Sequence, residues 1–207
     1  MRTVYVEDGV GMAHSAGAAV WSFDSDLWGI CTQGKSPEEA LAAWRDSFGA
    51  YRIAEGIHGD EQAFRRDLEP ASEVERRTTE QILKFQRLRA LDLLGSLSAA
   101  ALDCDDPGRA MPSWAWWRTA RQTLWHLCDT ESRYYLPQLG LPSRERQADL
   151  REELLVSHEH VGRHLESLPP SRIVRVDGEV WTSVKLLRRL AWHERGELDA
   201  ITQLVAG

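Results

Sequence analysis

Several things are scarce or missing in this chain. Cysteine occurs three times, as Cys31, Cys104 and Cys128, in an odd and widely spaced set. That supports neither a disulfide framework nor a CxxC zinc site. No apolar run approaches the roughly 20 residues that span a bilayer. The opening Met1-Arg2-Thr3-Val4-Tyr5-Val6-Glu7-Asp8 carries neither the apolar stretch nor the small-residue cleavage site of a secretory signal. The expectation is a cytoplasmic protein with no membrane partner. There is no GxSxG, P-loop or GxGxxG motif, no internal repeat and no low-complexity tract. His126 and Cys128 are two positions apart and diverge by about 160° on a helix, so that helix alone makes no Cys–His dyad.

What is present is an ordinary globular composition: 207 residues, 43% hydrophobic and 28% charged, enough for one ample core or two small ones. The net charge of −7 is unevenly spread: residues 1–70 hold 6 basic and 12 acidic side chains, and residues 71–207 hold 19 and 20. The shift suggests two segments. An acidic balance argues against nucleic acid, whose phosphates call for concentrated Lys and Arg. Nine tryptophans invite thoughts of base stacking, but Trp114, Trp116, Trp117 and Trp125 have few basic neighbours beyond Arg118 and Arg121. They suit pocket lining or core packing.

The fold class expected is α+β. Thr3–Val6, Ala18–Phe23 and Leu27–Thr32 read as short strands, β-branched or aromatic and bounded by turn residues. Ser36-Pro37-Glu38-Glu39 opens a helix that should run to about Arg52, with Ala40, Leu41, Trp44 and Phe48 on one face. Glycines and a proline among charges make residues 56–72 a linker between a unit at 1–55 and another at 73–207. The second unit reads as four amphipathic helices: about Glu73–Ala101 (stripe Ile82, Phe85, Leu88, Leu91, Leu94), Trp116–Leu136, Pro142–Leu168 and Thr182–Leu204. A break at Asp103–Gly108, extending through Pro112, separates the first two. Ile173–Val180 makes an extended excursion with a turn before the fourth. Four such helices fit a four-helix bundle.

The last helix carries the most informative pattern. Leu186, Leu190, His193, Glu197, Ala200 and Leu204 fall at alternating steps of four and three, on one side of the helix. His193 and Glu197 thus interrupt a stripe that should face the bundle interior. There they must be paired with each other, hydrogen-bonded or bound to a metal. On the second helix His126 sits between apolar neighbours, either as a hydrogen-bonded core residue or as a third ligand. A two-His, one-carboxylate set suits zinc, nickel, iron or manganese, with positions left for water or substrate. His158, Glu159, His160 and His164 on the third helix compete. His160 and His164 are four apart but flank the apolar face, which fits a solvated cluster or a surface metal site.

On the stretches Thr123-Leu124-Trp125-His126-Leu127-Cys128-Asp129-Thr130-Glu131 and Trp181–Arg195, residues 73–205 resemble the DinB-like superfamily of metal-binding four-helix bundles. The resemblance implies one metal-binding histidine on the second helix and two further ligands on the last. His126 and His193 match, and Glu197 stands where the superfamily commonly has a third histidine. It also implies a homodimer and chemistry of the kind seen in thiol-dependent transferases and a maleylpyruvate isomerase: a metal-activated thiol or water, with a low-molecular-weight thiol as partner. Tyr134, Arg188 and Trp192 are the pocket-lining candidates, and no catalytic residue beyond the ligands is assigned. On Gly29-Ile30-Cys31-Thr32-Gln33-Gly34-Lys35-Ser36-Pro37-Glu38-Glu39-Ala40, residues 1–52 are similar to the small HicB-like fold, which implies an interaction or dimerisation unit. The rival reading is a non-catalytic regulatory or protein-interaction module with that HicB-like unit at its front.

Overall fold

Alternation along the first two strands decides how the front of the chain packs. The computed structural model describes residues 1–12, 15–106, 108, 111 and 115–206; Pro112 and Trp114 lie outside the described residues. Strand β1 (Arg2–Met12) pairs antiparallel with β2 (Ser15–Trp21), and β2 with β3 (Cys31–Gly34). Helix α1 (Pro37–Phe48) then carries the chain over the sheet to β4 (Tyr51–His58), which pairs parallel with β1, giving the order β3-β2-β1-β4. Val4, Val6, Ala18 and Val20 face α1, where Ala40 and Trp44 are wholly buried. Ala19 and Trp21 point to the opposite face. A bulge between Asp8 and Val10, with Gly9 at φ 69°, moves Val10 to that second face as well. The sheet is therefore covered on both sides.

Behind it come α2 (Glu73–Ser96), the short α3 (Ala99–Leu102), α4 (Ala120–Asp129), a π-helical stretch Thr130–Tyr135 running into α5 (Leu136–Gln138), and α6 (Leu150–Glu166). A hairpin of β5 (Ile173–Val176) and β6 (Glu179–Thr182) turns at Asp177-Gly178, both at positive φ, and hands the chain to α7 (Ser183–Ala206). Helices α2 and α4 each pack against both α6 and α7. The fold is α+β. Among the described residues no helix is long and apolar enough to cross a membrane.

Several boundaries differ from expectation. Helix α1 stops at Phe48 because Gly49, at φ 81°, turns the chain into β4. The expected linker is folded: residues 56–58 belong to β4, and Phe64 and Asp67 are buried. The third strand is shorter, since Ser25–Leu27 forms a helical turn and only Cys31–Gly34 pairs. Capping boxes at Ser72/Glu75 and Thr119/Gln122, and the Asp149 cap, fix the starts of α2, α4 and α6. Trp116 and Trp117 therefore sit in the approach to α4 rather than within it.

The stripe assigned to α2 is corrected most sharply. Phe85 and Leu88 are 65% and 61% exposed, whereas Thr79, Ile82, Leu83, Gln86, Arg87 and Ala90 are buried. Those six keep the three–four spacing of a helical face, but half of them are polar. The N-terminal unit is joined to the bundle rather than tethered to it. Trp28 enters the bundle core and donates from Nε1 to Thr79 Oγ1 at 2.8 Å, and Gly29 approaches the α7 backbone at Ala191. Residues Ser183–Ala191 of α7 are buried on every side, between sheet and bundle.

Candidate metal centre

Helix α7 starts where Thr182 Oγ1 accepts the Lys185 amide at 3.0 Å. Three turns later it presents His193 and, one turn on, Glu197, both buried (4% and 3% exposed). From α4, His126 meets them: the two Nε2 atoms lie 3.2 Å apart. Glu197 Oε1 is 3.7 Å from His193 Nε2 and 3.9 Å from His126 Nε2, both too long for a direct hydrogen bond. A triangle with those sides has a circumradius of about 2.1 Å, the length of a zinc–imidazole or zinc–carboxylate bond. The residues present thus fit a single divalent ion, and the His193–Glu197 hydrogen bond considered from spacing is not the geometry found. Among the described residues no other such group of His, Cys, Asp or Glu side chains converges.

The ring of His126 is held from its other side. Trp117 stacks on it with centroids 3.3 Å apart and planes within 6°, and the Thr130 hydroxyl lies 3.3 Å from Nδ1. Thr130 opens the π-helical stretch, whose wider turn aims Tyr134 and Tyr135 at the same space while Glu131 points into the bundle. All three candidate ligands line a cavity of about 440 Å³, walled by Trp116, Trp117, Tyr134, Tyr135, Trp181 and Trp192. That volume suits a small molecule.

Of the pocket-lining candidates, Tyr134 and Trp192 line the cavity. The Tyr134 hydroxyl donates to Glu179 Oε1 at 3.0 Å, and Trp192 meets Trp21 edge to face at 5.8 Å. Arg188 does not line it. Five positions before His193 it points about 140° away, where it is wholly buried against the N-terminal sheet. Its Nη2 donates to Asp67 Oδ2 at 2.9 Å and its guanidinium lies over the Trp21 ring at 4.3 Å. Lys185, Arg188 and Arg189 form a basic stripe facing Glu7, Asp60 and Asp67. Burial would raise the Asp60 carboxyl, but Arg189 and Lys185 hold it below the usual carboxylate range.

The competing histidines stand apart. His160 Nε2 donates to the Pro142 carbonyl at 3.0 Å and its ring meets that of His164 edge on, at 4.6 Å. His158 is half-buried and Glu159 exposed. Missed from sequence were Asp60, Arg189, Tyr135 and Trp181, whereas Trp116 and Trp117, read as pocket lining or core packing, line the cavity. Asp60 and Arg189 meet only through tertiary packing.

Fold and site together define an α+β chain whose helices hold a convergent two-histidine, one-carboxylate cluster beside an aromatic cavity. Compared with protein-family models, curated proteins and solved structures, the chain matches none of them.

Proposed function

We propose that this chain is a DinB-like protein that binds a divalent ion through His126, His193 and Glu197 and uses it in thiol transfer or a related hydrolase or isomerase reaction. Zinc or nickel is the first choice of ion, with iron and manganese next. The observation that carries the reading is the meeting of three ligand atoms, from two helices, within 4.8 Å of one another at an open cavity. Such an ion, when bound, lowers the pKa of a thiol or water and supplies a nucleophile at neutral pH. The chain's own residues do the rest. Trp117 and Thr130 fix the His126 ring, and the aromatic walls limit water around the reacting groups.

The thiol comes from a bound small molecule. Burial pushes both the Cys31 and Cys128 thiols up to about 12, and neither lines the cavity. With both faces of the N-terminal sheet covered, that unit acts as a wall and support of the site: Asp60 lines the cavity and Trp21 backs Trp192. The resemblance also implies a homodimer, which sedimentation velocity tests.

The functional test follows loss of free thiol when zinc- or nickel-loaded protein meets a chloronitroarene with cysteine, glutathione or coenzyme A. Turnover that a chelator abolishes and that His193→Ala lacks is the expected result. Equal rates in wild type and His193→Ala, or no turnover with any of the thiols, overturns thiol transfer.

A further inference from the structure

We infer that Arg189 reads an anionic group, a carboxylate, on the molecule that occupies the cavity, and that this molecule has a small, flat, apolar body. The inference deepens the proposed function and rests on the same cavity. Arg189 lines that cavity with its side chain 7% exposed. Its Nη2 donates to Glu7 Oε1 at 2.8 Å and to Asp60 Oδ1 at 3.2 Å, which pins the guanidinium against the sheet. Among the described residues Nε and Nη1 of Arg189 make no hydrogen bond. A guanidinium stays charged in any protein setting, and N–H groups of a cavity-lining side chain that make no bond within the protein can donate to an acceptor on a bound molecule. The neighbouring Arg188 is turned away from the cavity, where Nη2 donates to Asp67 and Nη1 lies 3.7 Å from Glu7.

The charges around the cavity are largely paired. Glu7 and Asp60 are balanced by Lys185 and Arg189, Asp67 by Arg188, and Asp129 by Arg133 and Arg146. Glu197 offsets only half the charge of a divalent ion held beside it. Glu179, which accepts from the cavity-lining Tyr134 and Trp181, offsets the rest, so an anionic group is called for by the N–H groups of Arg189 that make no hydrogen bond among the described residues and not by a net charge. The faces offered to the rest of the ligand are the rings of Trp116, Trp181 and Trp192, and about 440 Å³ limits its size.

The test compares acids with their isosteric amides: benzoate with benzamide, and indole-3-acetate with indole-3-acetamide. Each is titrated calorimetrically into zinc-loaded full-length wild type, Arg189→Gln and Arg189→Lys, with zinc content measured on every sample. In wild type each acid should bind at least about tenfold tighter than its amide. The preference should fall to about one in Arg189→Gln, persist in part in Arg189→Lys, and leave zinc content unchanged. Equal binding of acid and amide by wild type, no binding of either, or an undiminished preference in a folded Arg189→Gln overturns the inference. An acid that simply ligates zinc is exposed by the last of these outcomes. If wild type takes up no zinc, the metal reading fails separately, and the acid–amide comparison on metal-free protein still decides the role of Arg189. Should Arg189→Gln not fold, the wild-type comparison and Arg189→Lys decide it.

Discussion

Two buried polar clusters sit at neighbouring positions of α7, and they differ in almost everything except burial. His193 and Glu197 face a cavity and meet His126 with their ligand atoms converging on one point. Glu194, between them in sequence, points the other way into the bundle. There Arg87 donates from Nη2 to Glu194 Oε1 and to Glu131 Oε2, each at 2.6 Å, and from Nη1 to the Leu154 carbonyl at 2.8 Å. That second cluster lies between an apolar layer around Leu83 and Leu190 and another around Ala90 and Leu198. It is sealed, and two carboxylates share one guanidinium. Burial and the neighbouring Glu194 charge drive Glu131 well above the usual carboxylate range. One helix thus carries a closed cluster built on one guanidinium and an open one that faces a cavity. Access, not burial, tells the two apart.

The sharpest way to break this contrast is Arg87→Leu. It leaves two buried carboxylates with no counter-charge and should cost about 3–5 kcal/mol, read from urea unfolding; a loss below 1 kcal/mol would deny the closed cluster its structural role. His193→Ala should act on the ion instead, weakening zinc affinity at least about 100-fold while destabilising the metal-free protein less than Arg87→Leu does. Equal zinc affinity in the two proteins would remove the distinction. Gly29→Ala probes the seam between sheet and bundle. Gly29 has φ 71°, and an added Cβ would lie 2.5 Å from that of Ala191, so a loss of about 1–3 kcal/mol is expected and unchanged melting would contradict the close approach. Glu131→Gln imitates the protonated acid and should shift stability by less than about 1 kcal/mol, with a larger loss showing that Glu131 is ionised.

The last effect is a pH slope. On α6, burial first and then the charges of Arg87 and Lys84 push His158 down from 6.5 to about 4. As pH falls through that window the unfolded chain takes up a proton that the native chain resists, so stability falls toward acid and recovers as pH rises. His158→Gln should flatten the slope between those two values, and an unaltered slope would assign it to other groups.

Much of this arrangement was legible before any coordinates. The strand–helix front, the helices behind it and the shared face of His193 and Glu197 follow from local spacing, whereas spacing leaves His126 open between core residue and third ligand, and it is the resemblance that assigns it as a ligand. His193 and Glu197 stood out because an apolar stripe made their polarity costly. Legibility failed where polarity and burial coincide without such a stripe. The buried face of α2 runs through Gln86 and Arg87, while Phe85 and Leu88 point outward, so hydrophobicity alone selected the wrong side. β4 was hidden because Arg52–His58 lacks alternation and gains its order from parallel pairing with β1, nearly fifty residues earlier. Arg188 was misplaced because the sheet offered its charge a partner that no local pattern reveals.

The account stands on the convergence of His126, His193 and Glu197, and elemental analysis of untagged protein after reconstitution tests it most directly. Wild type, His126→Ala and His193→Ala would each be exposed to zinc, nickel or manganese and then desalted. About one divalent ion per wild-type chain, lost in both variants, is the predicted result. A wild type that retains no ion, or variants that retain as much as wild type does, would contradict it.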